Sequence, residues 1–161
     1  MKRYTFLLAT LVAAASCNHD ITGLGPPSDP SNETFAASLG VDIAQMTKTP
    51  DGVFYEDIVV GTGPEVTDKT LTVNVTYAGY LKDGKLFDSG TNAAFDPNAV
   101  VPGFRKGMLG MKEGGRRKIV IPSSLGYAGT SVRDPATGAI KIPRQSTLIF
   151  DTQILKVTNP T

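Results

Sequence analysis

Leu71, Val73, Val75 and Tyr77 alternate with Thr72, Asn74 and Thr76. A period of two places the four larger side chains on one face of an extended strand and the small polar ones on the other, as a half-buried antiparallel strand requires. Leu148, Phe150, Thr152 and Ile154 share a face in the same way within a run from Leu148 to Val157. Val53 to Val60 and Arg117 to Ile121 read as further strands, set off by the breaks Pro50-Asp51-Gly52, Gly61-Thr62-Gly63-Pro64 and Glu113-Gly114-Gly115. Asp83-Gly84 predicts a hairpin because both residues tolerate positive φ in a tight turn, and Leu86 to Asp88 is then the returning strand. The period becomes helical at Phe104, Met108 and Met111, which predicts a short amphipathic helix within Pro102 to Met111, packed across the sheet. Phe35, Leu39, Ile43 and Met46 carry a weaker helical spacing interrupted by Gly40, so residues 35–52 read as an arm holding a short helix or an ordered lead-in. Ser123 to Pro143 is rich in Gly and Pro and reads as a long excursion. Several strands, one short helix and long loops make residues 53–158 an α+β domain.

The first residues follow a different pattern. Lys2 and Arg3 precede an apolar run from Phe6 to Ala15, and Ala14-Ala15-Ser16 stands immediately before Cys17. As a helix this run rises about 15 Å, half of the roughly 30 Å of a hydrocarbon core, so residues 1–16 read as a cleaved signal peptide. The small-small-Cys ending resembles the bacterial lipobox. That resemblance implies that Cys17 carries lipid and becomes the new amino terminus, with two or three acyl chains holding the protein at a membrane. Asn18 is not the aspartate that often signals inner-membrane retention, so the expected location is the cell envelope, facing the periplasm, with the outer membrane preferred. Gly23, Gly25, Pro26, Pro27 and Pro30 lie among small polar residues, so residues 17–34 are expected to be the lipidated cysteine and a flexible tether.

Charge and residue counts exclude several function classes. Lys and Arg number 16 against 15 Asp and Glu, a net charge of +1, so no surface built for nucleic-acid phosphates is expected. Cys17 is the single cysteine and His19 the single histidine. An internal disulfide, a His/Cys metal cluster and a His-based triad are thereby excluded, and no metal or cofactor is expected.

Three stretches, in order, resemble the FKBP-type peptidyl-prolyl isomerases. The first is Val75-Thr76-Tyr77-Ala78-Gly79-Tyr80 with Asp83-Gly84 and Phe87-Asp88-Ser89. The second is Val100-Val101-Pro102-Gly103-Phe104 with Gly107-Met108, and the third is Ile121-Pro122 with Leu125-Gly126-Tyr127, closed by Ile142-Pro143 and Thr147-Leu148-Ile149-Phe150-Asp151. The resemblance covers about Val53 to Val157. It implies a twisted antiparallel sheet wrapped around one short helix, with an apolar cleft between them. It also implies catalysis without cofactor, acting on Pro-containing unfolded or exported polypeptides, by a monomer.

Carried over position by position, the resemblance places Tyr77, Asp88, Phe104 and Tyr127 as catalytic residues, and Phe87, Val100, Val101 and Phe150 as substrate-binding ones. Phe104 would floor the cleft. The Val101 N–H and the Tyr127 hydroxyl would hold substrate carbonyls, and Asp88, ordered by Tyr77, would accept near the twisting amide. By pattern alone Val100, Phe104 and Phe150 are ordinary core residues, Asp88 a turn residue, and Tyr127 an exposed loop tyrosine. Two departures stand out. Phe104 occupies the floor position where the family usually has Trp, which weakens the expected affinity for macrolides, and Ala93 stands where a wall aromatic is expected. The loop Gly129 to Lys141 looks longer or differently built than the usual flap. These departures motivate an alternative, a membrane-tethered holding chaperone with the same fold and little isomerase activity; a mere structural spacer is the remaining reading.

Overall fold

The computed structural model describes residues 25–160; the leader and Cys17 lie outside them. Eight strands and one α-helix follow in order: β1 Thr47–Lys48, β2 Phe54–Val59, β3 Thr72–Leu81, β4 Leu86–Phe95, α1 Pro102–Met108, β5 Arg116–Ile121, β6 Val132–Arg133, β7 Ile140–Ile142 and β8 Leu148–Thr158. Six of them form one sheet in the order β1-β2-β5-β8-β3-β4, and β6 and β7 form a separate hairpin. Every pairing is antiparallel. The expected α+β architecture, an antiparallel sheet with one short helix, is the one observed.

The sheet is covered on both faces, and the sequence of the central strands shows why. Ile119, Ile121, Leu148, Phe150 and Ile154 face α1 in the main core, with Val73, Val75, Phe104 and Met108. Val120 and Ile149, one residue out of phase, point the other way into a second core with Leu39, Met46 and Phe54. Strands buried on two faces read as continuous apolar runs, here Ile119-Val120-Ile121 and Leu148-Ile149-Phe150.

The second face is covered by the 35–52 arm. Phe35, Leu39, Ile43 and Met46 all pack on it, as their spacing implies, but without a regular helix. Only Ala37–Leu39 forms a 3-10 turn, ended by Gly40 at φ +55°. Lys118 fixes this turn by donating from Nζ to the Gly40 carbonyl at 2.9 Å and to that of Leu39.

Residues 25–34 correct the expectation of a tether. Their polar side chains find partners on the domain: Ser28 pairs with Ser123 and Thr147, and Glu33 forms an ion pair with Lys82 at 2.9 Å. Pro30 is buried. Two further corrections concern extent. The returning strand β4 runs to Phe95 rather than ending at Asp88, and the Ser123–Pro143 excursion contains the β6–β7 hairpin, whose Val132 and Ile142 join the main core. Leu71, expected on the buried face, precedes β3 and is exposed.

α1 lies directly on β5 because two positions of the helix lack side chains. A Cβ at Gly103 would stand 2.1 Å from Ile121 Cγ2, and one at Gly107 would stand 2.3 Å from Ile119 Cγ2. Four residues apart, the two glycines form a smooth stripe into which the β5 isoleucines fit. Arg117, only 5% exposed, locks the other end of the helix. Its Nη1 donates to the carbonyls of Gly107 and Leu109 at 2.9 and 3.0 Å, supplying the donors that a helix C-terminus lacks. Its Nε and Nη2 form a fork with Asp57 at 2.7 and 2.9 Å, and the guanidinium lies 4.0 Å over the Tyr55 ring.

Candidate active site

The site forms where β3, β4 and β8 meet α1, and two irregularities of β4 aim its residues. Leu86 pairs with Tyr80 and Asp88 with Gly79, so Phe87 is an extra residue at a bulge. The bulge turns the Phe87 ring into the core while the Asp88 carboxylate reaches Tyr77, which a regular alternation would send to opposite faces. Gly79 makes the space for this: a Cβ there would come within 2.7 Å of the Phe87 ring and 2.9 Å of the Phe150 ring. The second irregularity lies opposite Thr76, where the pairing passes from Val75↔Ala93 to Tyr77↔Gly90.

Five aromatic rings form a continuous cluster. Phe104 and Phe150 are closest, with centroids 4.5 Å apart. Phe87 meets Phe150 edge-on at 5.6 Å, and Tyr77 lies 6.3 Å from both Phe104 and Phe150. These separations fall in the range where aromatic pairs attract through edge and tilted contacts. Phe104, 3% exposed, is the most buried of Phe87, Phe104 and Phe150.

The fifth ring is Phe95, which lies outside the motifs that carry the family resemblance. It packs edge-on against Tyr77 at 5.5 Å. Ala93 lies two residues before it, opposite Val75, whereas Phe95 lies opposite Val73. The signal was the aromatic itself, masked because Gly90 to Ala94 has little strand propensity and β4 was cut short before it.

The polar groups lie along one side. The Tyr77 hydroxyl donates to Asp88 Oδ2 at 3.0 Å. Burial, and then this hydrogen bond, push the Tyr77 phenol up to about 12. Tyr127, in the loop after β5, is likewise pushed up, first by burial and then by the negative charge of Asp88. Tyr127 itself remains 38% exposed.

Val100 and Val101 pack against the main core at the entry to α1. A 3-10 turn at Pro97–Ala99, whose Asp96 side chain accepts from the Asn98 N–H, leads the chain there, and Pro102 then starts the helix. The Val101 carbonyl accepts from the N–H groups of Phe104 and Arg105, whereas the Val101 N–H has no acceptor among the described residues. Tyr77, Phe87, Phe104 and Phe150 thus share one ring cluster, with Asp88 bonded to Tyr77 and with Val100 and Val101 packed on the same core. Cys17 lies outside the described residues.

The raised phenol of Tyr77 has a checkable consequence. The folded chain holds this proton more tightly than the unfolded chain, whose tyrosines titrate near 10.0. Its share of stability is fully present below that value and is lost as pH rises toward 12. In a phenolate absorbance titration, Tyr77→Phe is expected to remove a transition at the alkaline end. Loss of a transition near 10.0 instead would contradict the burial and hydrogen bond described.

An antiparallel sheet folded over one short helix is the architecture that the resemblance to the FKBP-type peptidyl-prolyl isomerases implies. Comparison with known proteins gives the same class. Residues 63–155 match the model of the FKBP-type peptidyl-prolyl cis-trans isomerase family, and the chain belongs to that family. It is 36% identical over 129 residues to the FKBP-type peptidyl-prolyl cis-trans isomerase FkpA of Escherichia coli K12, covering 78% of this chain and 43% of that protein. It is 38% identical over 113 residues to an FK506-binding protein of Neisseria meningitidis serogroup B, covering 66% of this chain and 96% of that one. Among solved structures, a peptidyl-prolyl cis-trans isomerase of Pseudomonas syringae superposes with a TM-score of 0.65 at 27% identity, covering 76% of this chain and 87% of that one. The chain spans less than half the length of several of the curated relatives it matches.

Proposed function

We propose that this chain catalyses cis–trans rotation about Xaa-Pro bonds in exported polypeptides, working from a lipid anchor on Cys17 in the cell envelope, on the periplasmic side and preferably at the outer membrane. The observation that supports the reaction is the cluster of aromatic rings beside α1, with the Tyr77–Asp88 hydrogen bond and the unaccepted Val101 N–H next to it. Rotation about the amide faces a barrier of roughly 18–20 kcal/mol because the nitrogen lone pair is shared with the carbonyl. The barrier falls when a site binds the twisted amide better than either planar form. A proline ring seated on Phe104, between Tyr77, Phe87, Phe95 and Phe150, places its amide in an apolar environment that disfavours the charge-separated planar form. The Val101 N–H and the Tyr127 hydroxyl can hold the flanking carbonyls while the amide turns. Asp88, fixed by Tyr77, presents an acceptor near the twisted bond, and no proton changes hands.

The anchor rests on the leader and on Cys17, and a client role on the resulting envelope location. Both are tested with the full-length chain. Refolding of an exported client limited by an Xaa-Pro bond is expected to accelerate in its presence, and Cys17→Ser is expected to move the protein from the membrane pellet to the soluble fraction. An unaccelerated slow phase would remove the folding role; a Cys17→Ser protein still in the pellet would remove the lipid anchor.

A further inference from the structure

Ser28 lies far from the cleft in sequence, yet it ends in the loop that carries Tyr127. Its N–H donates to Ser123 Oγ at 2.8 Å, and its Oγ accepts from the Ser123 N–H at 2.7 Å and from Thr147 Oγ1 at 2.8 Å. Ser123 and Thr147 are almost completely buried. Ser123 Oγ donates in turn to Gln145 Oε1 at 2.9 Å, and the Gln145 N–H donates to the Ala128 carbonyl at 2.7 Å. Ala128 directly follows Tyr127, and its own N–H donates to the Ser123 carbonyl at 2.8 Å.

The backbone inside this network is strained. Ala128 has φ +47° and Gln145 has φ +56°, left-handed conformations that cost a residue with a side chain free energy and persist only where surrounding contacts hold them. The two strained residues are bonded to each other, and both are bonded to Ser123, the residue that Ser28 grips. Without Ser28, the buried Ser123 N–H loses its acceptor and the Thr147 hydroxyl loses its partner, and the loop can relax toward ordinary backbone angles.

We infer that the segment before the domain is a strap and that Ser28 is a positioning residue for the reaction, holding the Ser123–Ala128 loop so that the Tyr127 hydroxyl stays at the rim of the cleft. The inference rests on the isomerase reading of that cleft. The strap also makes the lead from the envelope anchor part of the site's framework, so the catalytic loop is tied to the segment by which the domain would hang.

The test uses the full-length chain and two independent readouts. On Xaa-Pro peptides, Ser28→Ala is expected to lower kcat/KM about threefold to tenfold, the worth of the one hydrogen bond that the Tyr127 hydroxyl gives the substrate, and Ser28→Thr, which keeps the oxygen, to restore it. In a Tyr127→Phe background, Ser28→Ala is expected to add almost nothing, because the residue acts through that hydroxyl. Amide exchange supplies the readout that does not depend on turnover: Ala128 and Gln145 should exchange faster in Ser28→Ala while Ile119 to Ile121 are unchanged. An equal loss of kcat/KM with and without the Tyr127 hydroxyl would overturn the inference. So would unchanged exchange at Ala128 and Gln145. A wild-type chain without turnover would refute the isomerase reading instead, with the exchange result still reporting on the strap.

Discussion

Arg117→Ala is expected to lower the unfolding free energy by about 3 kcal/mol, the scale seen when one partner of a buried, hydrogen-bonded ion pair is removed. The guanidinium ties β2 to α1 through three contacts at once: Asp57 and the Tyr55 ring on β2, and the last carbonyls of α1. Its removal leaves the Gly107 and Leu109 carbonyls without their donor and strips Asp57 of its partner. Asp57 is about one-third exposed and regains some water, which holds the loss to the lower part of the range. Arg117→Lys is expected to recover little, because an ammonium cannot reproduce the fork while reaching both carbonyls. Denaturant unfolding checks this directly. A midpoint equal to that of the wild type would mean that α1 is held by its contacts with β5 alone.

The second large effect falls on catalysis. Phe104→Leu keeps an apolar floor but removes the ring that faces Phe150 and Tyr77, and kcat/KM for Xaa-Pro peptides is expected to fall by about tenfold, some 1.4 kcal/mol of transition-state stabilisation. Phe104→Ala should lose more activity, but it also opens a cavity worth about 3–5 kcal/mol of stability, so the leucine variant separates chemistry from folding. A leucine variant with wild-type turnover and an intact fold would remove Phe104 from the catalytic floor.

How much of this was legible in the residues differs from element to element. The alternation of Val73, Val75 and Tyr77 and the Asp83-Gly84 turn are local signals, and both appear in the fold at their expected places. Tyr77 and Asp88 meet diagonally on the β3–β4 hairpin, since Tyr77 pairs with Gly90 and Asp88 with Gly79, so their contact could be expected from the turn and the family resemblance together. The Phe87 bulge and the length of β4 could not, since Gly90-Thr91-Asn92-Ala93-Ala94 is a poor strand sequence held in place by its pairing with β3. Arg117 read as one more charge in a strand; only the fold brings Asp57, Gly107 and Leu109 around it. Ser28 is a similar case. A short polar stretch with several prolines is a linker by composition, and its partners Ser123 and Thr147 lie about a hundred residues away. Periodicity reports which face a side chain takes, whereas buried polar contacts of long sequence separation leave no period to read.

The central claim is that this cleft turns Xaa-Pro bonds, and magnetisation exchange between the cis and trans forms of a proline peptide measures that turning without a coupled protease. With catalytic amounts of the full-length chain, cis–trans exchange peaks are expected to appear at mixing times where the free peptide shows none, and to weaken with Phe104→Leu. A folded wild-type chain that binds the peptide yet leaves its exchange rate at the uncatalysed value would contradict the account and leave a holding role for the cleft.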